Sequence, residues 1–179
     1  MKKNAAFLAV FFSVLLITVI AFAGHDHMVI PYEKQAFGSR TMMPIPSGGD
    51  LRQHIIGQEP YKKKFELWPG KGEMYQGKEP HGSLLTTYVN SIALKSIKKQ
   101  KGMANNSIIV KENYTQDKKL AAVTVMYKVK GYNPAGGDWF WAKYDPEFNI
   151  LAEGMVKGCL NCHGSAKTND YVFTGKLVE

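Results

Sequence analysis

The feature that most constrains this chain lies near its carboxyl end, where residues 159–163 read Cys159-Leu160-Asn161-Cys162-His163. This is the C-x-x-C-H spacing by which c-type haem is attached. Two thiols three residues apart share one side of a tight turn, from which each sulfur reaches one vinyl group of the same porphyrin. The adjacent His163 offers a neutral imidazole to the iron as the proximal ligand. Because the chain contains only these two cysteines, the motif predicts one covalently bound haem c per chain.

Two other uses of such a cysteine pair are weighed against haem c. A zinc site needs two further ligands, and none of the other histidines stands at a zinc-type spacing from the pair. Those histidines are His25, His27, His54 and His81. A thioredoxin-like redox pair needs a βαβ context near the chain start, whereas this pair lies near the end. Haem c is therefore the favoured interpretation.

The amino terminus predicts export. Lys2 and Lys3 form a basic region, residues 5–21 are almost wholly apolar, and Ala21-Phe22-Ala23 fits an A-x-A cleavage site. We interpret residues 1–23 as a signal peptide and expect a periplasmic protein, since bacteria attach haem c outside the cytoplasm. An uncleaved membrane anchor is the alternative, because a membrane span needs about 20 apolar residues.

Length and charge narrow the class of protein further. Without residues 1–23, 156 of the 179 residues remain, which is the length of a single domain. The full chain has a formal net charge of +8, and Arg40 and Arg52 are its only arginines. An exported protein with so few guanidinium groups is not expected to bind nucleic acid. Its lysines form a solvated surface or, alternatively, a docking patch for an acidic redox partner such as another cytochrome.

The hydrophobic pattern predicts a mainly β fold of the α+β class. Residues 24–60 are rich in proline, glycine and polar side chains, and predict an irregular segment with a short helix near Leu51–Ile56. A folded domain is expected over residues 61–179. Its predicted strands are 84–90, 107–114, 120–130, 138–144 and 150–155, and its predicted helix is 91–101. Short runs joined by turn residues indicate an antiparallel sheet with a few helices, followed by a C-terminal haem attachment loop.

Several short segments resemble the cytochrome P-460 family, in the same order along the chain from Phe65 to Thr174. They are Tyr88-Val89-Asn90, Ile109-Val110-Lys111-Glu112, Gly137-Asp138-Trp139, Ala166-Lys167-Thr168 and Asp170-Tyr171-Val172-Phe173-Thr174. The resemblance implies an antiparallel β fold, a homodimer, and a five-coordinate haem iron with His163 as proximal ligand. Cytochromes P-460 carry a lysine bonded to a porphyrin meso carbon and oxidise hydroxylamine. The related cytochromes c′-β lack this bond and bind gases such as NO.

The resemblance places the lysine of the family's V-K-E strand motif on Lys111, which would then contact the haem as a catalytic residue. An amine attacks a porphyrin edge only when it is neutral, and burial beside a haem lowers the pKa of a lysine. Strand alternation puts Lys111 on the face of Ile109, opposite Val110. A solvated lysine paired with nearby acids is the alternative. Glu112 is not an obvious substitute for the family's acidic proton acceptor, because it points away from Lys111.

The sixth iron position decides between two kinds of cytochrome, because an open position indicates ligand binding or catalysis and a filled one indicates electron transfer. Candidate sixth ligands are His54, His81, Met103 and Met126. His81 is also a candidate pocket hydrogen-bond donor or a surface loop residue, and Met126 a core residue. Candidate haem-wall residues are Phe65, Trp68, Trp139, Phe140 and Trp141.

The leading hypothesis is an exported mono-haem cytochrome whose open distal site oxidises or binds a small nitrogen species, either hydroxylamine or NO. Electrons would leave to a redox partner cytochrome. The alternative is a low-spin periplasmic electron-transfer cytochrome c.

Overall fold

The computed structural model describes residues 42–178 of the 179-residue chain. The predicted signal peptide, residues 1–23, lies outside the described residues, as do residues 24–41 of the predicted irregular segment. Within residues 42–178, no helix combines the length and the apolar character needed to cross a membrane.

One antiparallel sheet of seven strands forms the centre of the described chain. The strands are β1 Glu66–Leu67, β2 Tyr75–Gln76, β3 Leu84–Val89, β4 Ile108–Tyr114, β5 Leu120–Lys128, β6 Trp139–Tyr144 and β7 Ile150–Gly154. Their order across the sheet is β1-β3-β4-β5-β6-β7, and β2 pairs with the other end of β3. Strands β3 to β7 are thus neighbours both in sequence and in space, and the predicted antiparallel, mainly β fold is confirmed.

The helices are short. They are α1 Gly48–Gln53, a π-helical turn His54–Gln58, α2 Tyr61–Lys64, α3 Ser91–Lys99, α4 Lys157–His163, and the 3₁₀ helices Pro134–Gly136 and Gly164–Asn169. The Asn90 side chain caps α3 by accepting a hydrogen bond of 2.9 Å from the Ala93 N–H. The helix ends at Gln100, whose backbone has a left-handed conformation, two residues before Gly102.

The central strands are buried on both faces, and each face packs against a different part of the chain. The face that carries Val110 and Phe140, here called the N-terminal face, packs with Leu51 and Tyr61 in one apolar cluster. The other face, here called the C-terminal face, carries residues of a second cluster with segments near the chain's end. Its members include Ile109, Met126, Trp139, Trp141, Val172 and Leu177. Because side chains alternate along a strand, neighbouring residues of one strand lie in different apolar clusters, one on each face of the sheet.

The packed domain begins before the predicted boundary at Tyr61. Leu51 and Ile55 are completely buried beside Tyr61, and the Tyr144 hydroxyl donates a hydrogen bond of 2.9 Å to the Gly48 carbonyl oxygen. Two apolar residues four positions apart share one helix face, which gives this segment a side to bury. The short helix predicted near Leu51–Ile56 corresponds to α1 and the π-helical turn that follows it, whereas its place in the core was not predicted.

Candidate haem site

The C-terminal face of the sheet and the segment around α4 border a cavity of about 550 Å³, and a second cavity of about 460 Å³ shares part of its lining. Both volumes fall in the usual range of ligand and cofactor pockets. The residues that line both cavities are Glu79, Pro80, His81, Lys111, Cys162, His163, Phe173 and Thr174.

Helix α4 presents the C-x-x-C-H residues to the larger cavity. Cys159 and Cys162 lie three residues apart on this helix, so their side chains share one side of it. Both are free thiols, and both line the cavity together with His163. Two thiols and an imidazole thus meet at one cavity wall, as covalent attachment of a haem requires.

His163 is held in the tautomer that a haem ligand needs. Its Nδ1 atom lies 2.6 Å from the Tyr171 carbonyl oxygen. A carbonyl oxygen only accepts, so Nδ1 carries the hydrogen and Nε2 keeps its lone pair. Burial lowers the pKa of His163, which favours the neutral ring. An Nδ1–H bonded to a backbone carbonyl is the usual way in which proteins orient a metal-ligating histidine.

The Tyr171 carbonyl is itself fixed by the neighbouring Asp170. Both residues have left-handed backbone conformations, with φ of 55° and 64°. The Asp170 carboxylate accepts from the Lys128 ammonium at 2.5 Å and from the Met103 N–H at 2.7 Å. The Trp139 indole N–H donates to the Asp170 carbonyl oxygen at 3.0 Å. We call these contacts the Asp170 clamp, because they hold the turn that positions the proximal histidine.

Lys111 lies in the cavity wall rather than in solvent. It projects from the C-terminal face of β4, where its cross-strand partners are Thr87 and Thr124. Burial lowers its pKa to about 8. No ion pair joins it to any residue between positions 42 and 178. The predicted alternative, a solvated lysine paired with acids, is therefore not the arrangement found in the described part of the chain.

Glu112 lies on the opposite face of the sheet and takes no part in the cavity. Its side chain is 1% exposed and accepts hydrogen bonds of 2.6 Å from both the Tyr61 and Tyr114 hydroxyls. The Lys62 ammonium lies 2.8 Å from the same carboxylate. This carboxylate is occupied by a structural network, as its strand position led us to expect.

Three rings surround His163. The ring centres of Trp141, Phe173 and His81 lie 4.6, 5.3 and 5.9 Å from that of His163. Trp141 lines the larger cavity, and its buried indole N–H has no acceptor within residues 42–178. An unpaired buried donor costs about 1–3 kcal/mol, so it marks a place where a bound group with an acceptor would fit. The apolar walls, the thiols, the neutral imidazole and this free donor together fit a haem.

The other predicted ligand and wall residues are divided between the two faces. His54 lies in the π-helical turn of the N-terminal segment, where its Nδ1 is 3.3 Å from the Gln58 side chain. Of the four candidate sixth ligands, His81 and Met126 line the cavity, whereas His54 and Met103 do not. Among the aromatic candidates, Trp141 lines the cavity, Trp68 and Trp139 pack behind it, and Phe65 and Phe140 lie in the cluster of the N-terminal face.

Sequence reasoning missed Asn113, which holds His81 in place. The Asn113 amide oxygen lies 3.1 Å from His81 Nδ1. A signal existed, because Asn113 is two residues beyond Lys111 and therefore on the same strand face. The Asp170 clamp was also missed, since its members are spread over four segments of the chain. Within residues 42–178, no group of three or more His, Cys, Asp or Glu residues is arranged to hold a metal ion.

Comparison with known proteins agrees with this geometry. The family model described as Cytochrome P460 matches residues 62–174, which is 113 of the 179 residues. A search among curated proteins found no match. The matched region contains every strand of the sheet, helix α4 and all residues that line the two cavities. The chain therefore belongs to the cytochrome P-460 family and is a haem-binding cytochrome.

Proposed function

We propose that this chain is an exported mono-haem c-type cytochrome with an open distal iron site, and that it oxidises or binds a small nitrogen species, hydroxylamine or NO. The observation that carries this proposal is the convergence of Cys159, Cys162, His163 and Lys111 on one cavity. The haem, when bound, supplies an iron that changes charge by one electron and has a position for a small ligand.

Different side chains of the cavity would bind different parts of that haem. The Cys159 and Cys162 sulfurs would form the thioether bonds to the haem, and His163 Nε2 would bind its iron. Lys111 is the catalytic residue in the enzymatic version of the proposal. With its pKa lowered to about 8 by burial, Lys111 has a much larger neutral fraction at pH 7 than an ordinary lysine, and only the neutral amine can bond to the porphyrin edge.

The two versions of the function differ in what happens after a ligand enters. In the enzymatic version hydroxylamine is oxidised, its protons go to solvent, and its electrons pass singly to an acceptor cytochrome, which is reduced. In the binding version the same cavity holds NO without turnover. The excess of lysine supports docking of an acidic redox partner. A homodimer is proposed from the family resemblance.

One observation favours a second candidate, a low-spin electron carrier. The His81 and His163 ring centres lie only 5.9 Å apart, so His81 is close enough to fill the sixth position. Both imidazoles line the two cavities.

Absorption spectra of the purified, haem-loaded protein separate these candidates. We expect a high-spin spectrum that shifts when NO is added. A low-spin ferrous spectrum that NO does not change would contradict the open site and favour the electron carrier. Haem that passes into acidified acetone would contradict covalent attachment. A periplasmic protein whose mass corresponds to a chain beginning at Gly24 is expected if residues 1–23 are removed on export.

The role of Lys111 has its own test. If it is bonded to the porphyrin, the ferrous Soret band is strongly red-shifted, and mass spectrometry finds the haem peptide joined to the Lys111 peptide. Lys111→Leu then restores an ordinary c-type spectrum and abolishes the joined peptide. Lys143→Leu is the matched comparison, because Lys143 follows Thr124 in the same cross-strand row and lines the same cavity but is exposed. An unchanged spectrum and turnover in Lys111→Leu would show that Lys111 has no such role.

A further inference from the structure

A turn at the end of the 3₁₀ helix Gly164–Asn169 has an unusual backbone conformation. Asp170 and Tyr171, the two residues that follow this helix, both have positive φ, at 55° and 64°. Aspartate adopts this left-handed conformation fairly often, whereas for a bulky residue such as tyrosine it is an outlier. Backbone strain of this kind persists only where the surrounding structure holds it, and it gathers at functional sites. The strain at Tyr171 therefore indicates a role for this turn beyond connecting two segments.

The turn holds the Tyr171 carbonyl oxygen against the proximal histidine. That oxygen lies 2.6 Å from His163 Nδ1, which is short for an N–H···O hydrogen bond. Two further contacts fix the same residue, because the Tyr171 N–H donates to the Ala166 carbonyl oxygen at 2.8 Å and the Tyr171 hydroxyl donates to the Ala135 carbonyl oxygen at 3.0 Å. The main chain and the side chain of Tyr171 are thus both anchored, and its carbonyl has little freedom to move away from His163.

The Asp170 clamp holds the other side of the turn through a closed set of contacts. The Trp139 indole N–H donates to the Asp170 carbonyl oxygen at 3.0 Å, and the Trp139 ring centre lies 4.7 Å from the Lys128 ammonium. That ammonium donates to one oxygen of the Asp170 carboxylate at 2.5 Å, and the Met103 N–H donates to the other at 2.7 Å. Because the charges of Lys128 and Asp170 are opposite and adjacent, the pair brings no net charge to the proximal side of the site.

We propose that Asp170 and Lys128 are positioning residues that, through the Tyr171 carbonyl, strengthen the hydrogen bond from His163 Nδ1 and thereby lower the reduction potential of the haem iron. A stronger bond at Nδ1 makes Nε2 a more basic ligand, and a more basic ligand stabilises ferric over ferrous iron. The inference rests on His163 binding the iron, as proposed above, and it holds whether the sixth position is open or filled.

The test is the reduction potential of the haem-loaded protein, measured by spectroelectrochemical titration of wild type, Asp170→Asn and Lys128→Met. Each substitution loosens the turn, so both should raise the potential. We expect the preference for ferric iron to fall about three- to tenfold, which is about 30–60 mV for one electron. A direct effect of charge would instead shift the two variants in opposite directions, because one loses an anion and the other a cation. Lys128→Arg keeps the cation and should stay near wild type.

Two further measurements separate positioning from general loss of stability. Where the sixth position is open, resonance Raman spectra of the ferrous protein should show the iron–histidine stretching band at lower frequency in Asp170→Asn and Lys128→Met. Leu51→Ala is the control, because Leu51 is completely buried in the cluster of the opposite sheet face. It should destabilise the fold and leave both the band and the potential unchanged.

Three outcomes would overturn the inference. They are potential shifts of opposite sign in Asp170→Asn and Lys128→Met, no shift in either variant, and an equal shift in Leu51→Ala. If Asp170→Asn does not fold with haem, Lys128→Met decides alone, since a lowered or unchanged potential contradicts positioning and a raised one supports it. Purified wild-type protein without covalent haem would contradict the proposed function itself, which is a different result from a haem protein whose potential ignores the clamp.

Discussion

Replacing Asp170 by Asn removes one negative charge from the Asp170 clamp while keeping the shape of the side chain. Asn tolerates the left-handed backbone found at this position about as well as Asp does, so backbone strain stays constant. The side chains of Lys128 and Asp170 are only 15% and 14% exposed. The Lys128 ammonium also lies 4.7 Å from the centre of the Trp139 ring, so the substitution leaves a largely buried cation on an aromatic face.

The expected magnitude follows from this partial burial. Removing one partner of an exposed ion pair costs about 0–1 kcal/mol, and of a buried pair about 3–5 kcal/mol. The Lys128–Asp170 pair lies between these limits, and the aromatic contact with Trp139 offsets part of the loss. We expect Asp170→Asn to lower the free energy of unfolding by about 2–3 kcal/mol, and the Tm by about 5–10 °C.

A double-mutant cycle measures the coupling energy between Lys128 and Asp170. The free energy of unfolding of the haem-loaded protein is measured by urea denaturation for wild type, Asp170→Asn, Lys128→Met and the double variant. We expect a coupling energy above about 1 kcal/mol that changes little between 0.1 and 1 M salt, because a largely buried pair is weakly screened. A coupling energy below about 0.5 kcal/mol, or one that disappears at high salt, would refute the clamp as a buried electrostatic contact.

Two substitutions test the packing around the site. Gly137→Ala should lower the free energy of unfolding clearly more than Gly131→Ala. Both glycines have positive φ, but a Cβ at Gly137 lies 2.5 Å from the Tyr171 ring, whereas a Cβ at Gly131 has no atom within 4 Å. Equal losses for the two variants would contradict a clash at Gly137. Leu51→Ala should lower the free energy of unfolding by about 2–5 kcal/mol, because Leu51 is completely buried, and a loss below about 1 kcal/mol would show that the segment before Tyr61 is not part of the domain's core.

The parts of the fold that depend on local signals were predictable. Strand β5 alternates valine and tyrosine with threonine and methionine, and this alternation gives both the strand and its two faces. The Asn90 side chain marks the start of α3 through a contact with Ala93, only three residues further along the chain. The same local rule placed Lys111 and Glu112 on opposite faces, and the structure shows them in the cavity and in the buried network respectively.

The parts that depend on contacts between distant segments were not predictable from one sequence. Asn113 and His81 are 32 residues apart, and Met103 and Asp170 are 67 residues apart. Nothing in the local pattern of either partner indicates the other, since each contact exists only after the sheet has formed. Strands β1 and β2 have two residues each, too few to show a period, and owe their conformation to pairing with β3.

The Glu112 network gives a prediction for stability in acid. Burial alone would raise the pKa of Glu112, but hydrogen bonds from Lys62, Tyr114 and Tyr61 outweigh it, and the pKa lies below its ordinary value. The unfolded state therefore binds more protons than the folded state as the pH falls below the ordinary value of 4.5. The stability that the ionised Glu112 contributes is fully present above that pH and is lost as the pH falls through the lowered pKa.

Glu112→Gln should make this contribution visible. At pH 7 we expect a loss of about 2 kcal/mol, because one tyrosine hydroxyl loses a charged acceptor while the largely exposed Lys62 contributes little. The difference between variant and wild type should then shrink as the pH is lowered from 5 to 3, measured by urea denaturation at each pH. Glu66→Gln, at an exposed position of β1, is the control and should change stability by less than about 0.5 kcal/mol. A Glu112→Gln difference that stays constant across this range would mean that the carboxylate is not held ionised by its three donors, and that its charge contributes nothing to the acid stability of the fold.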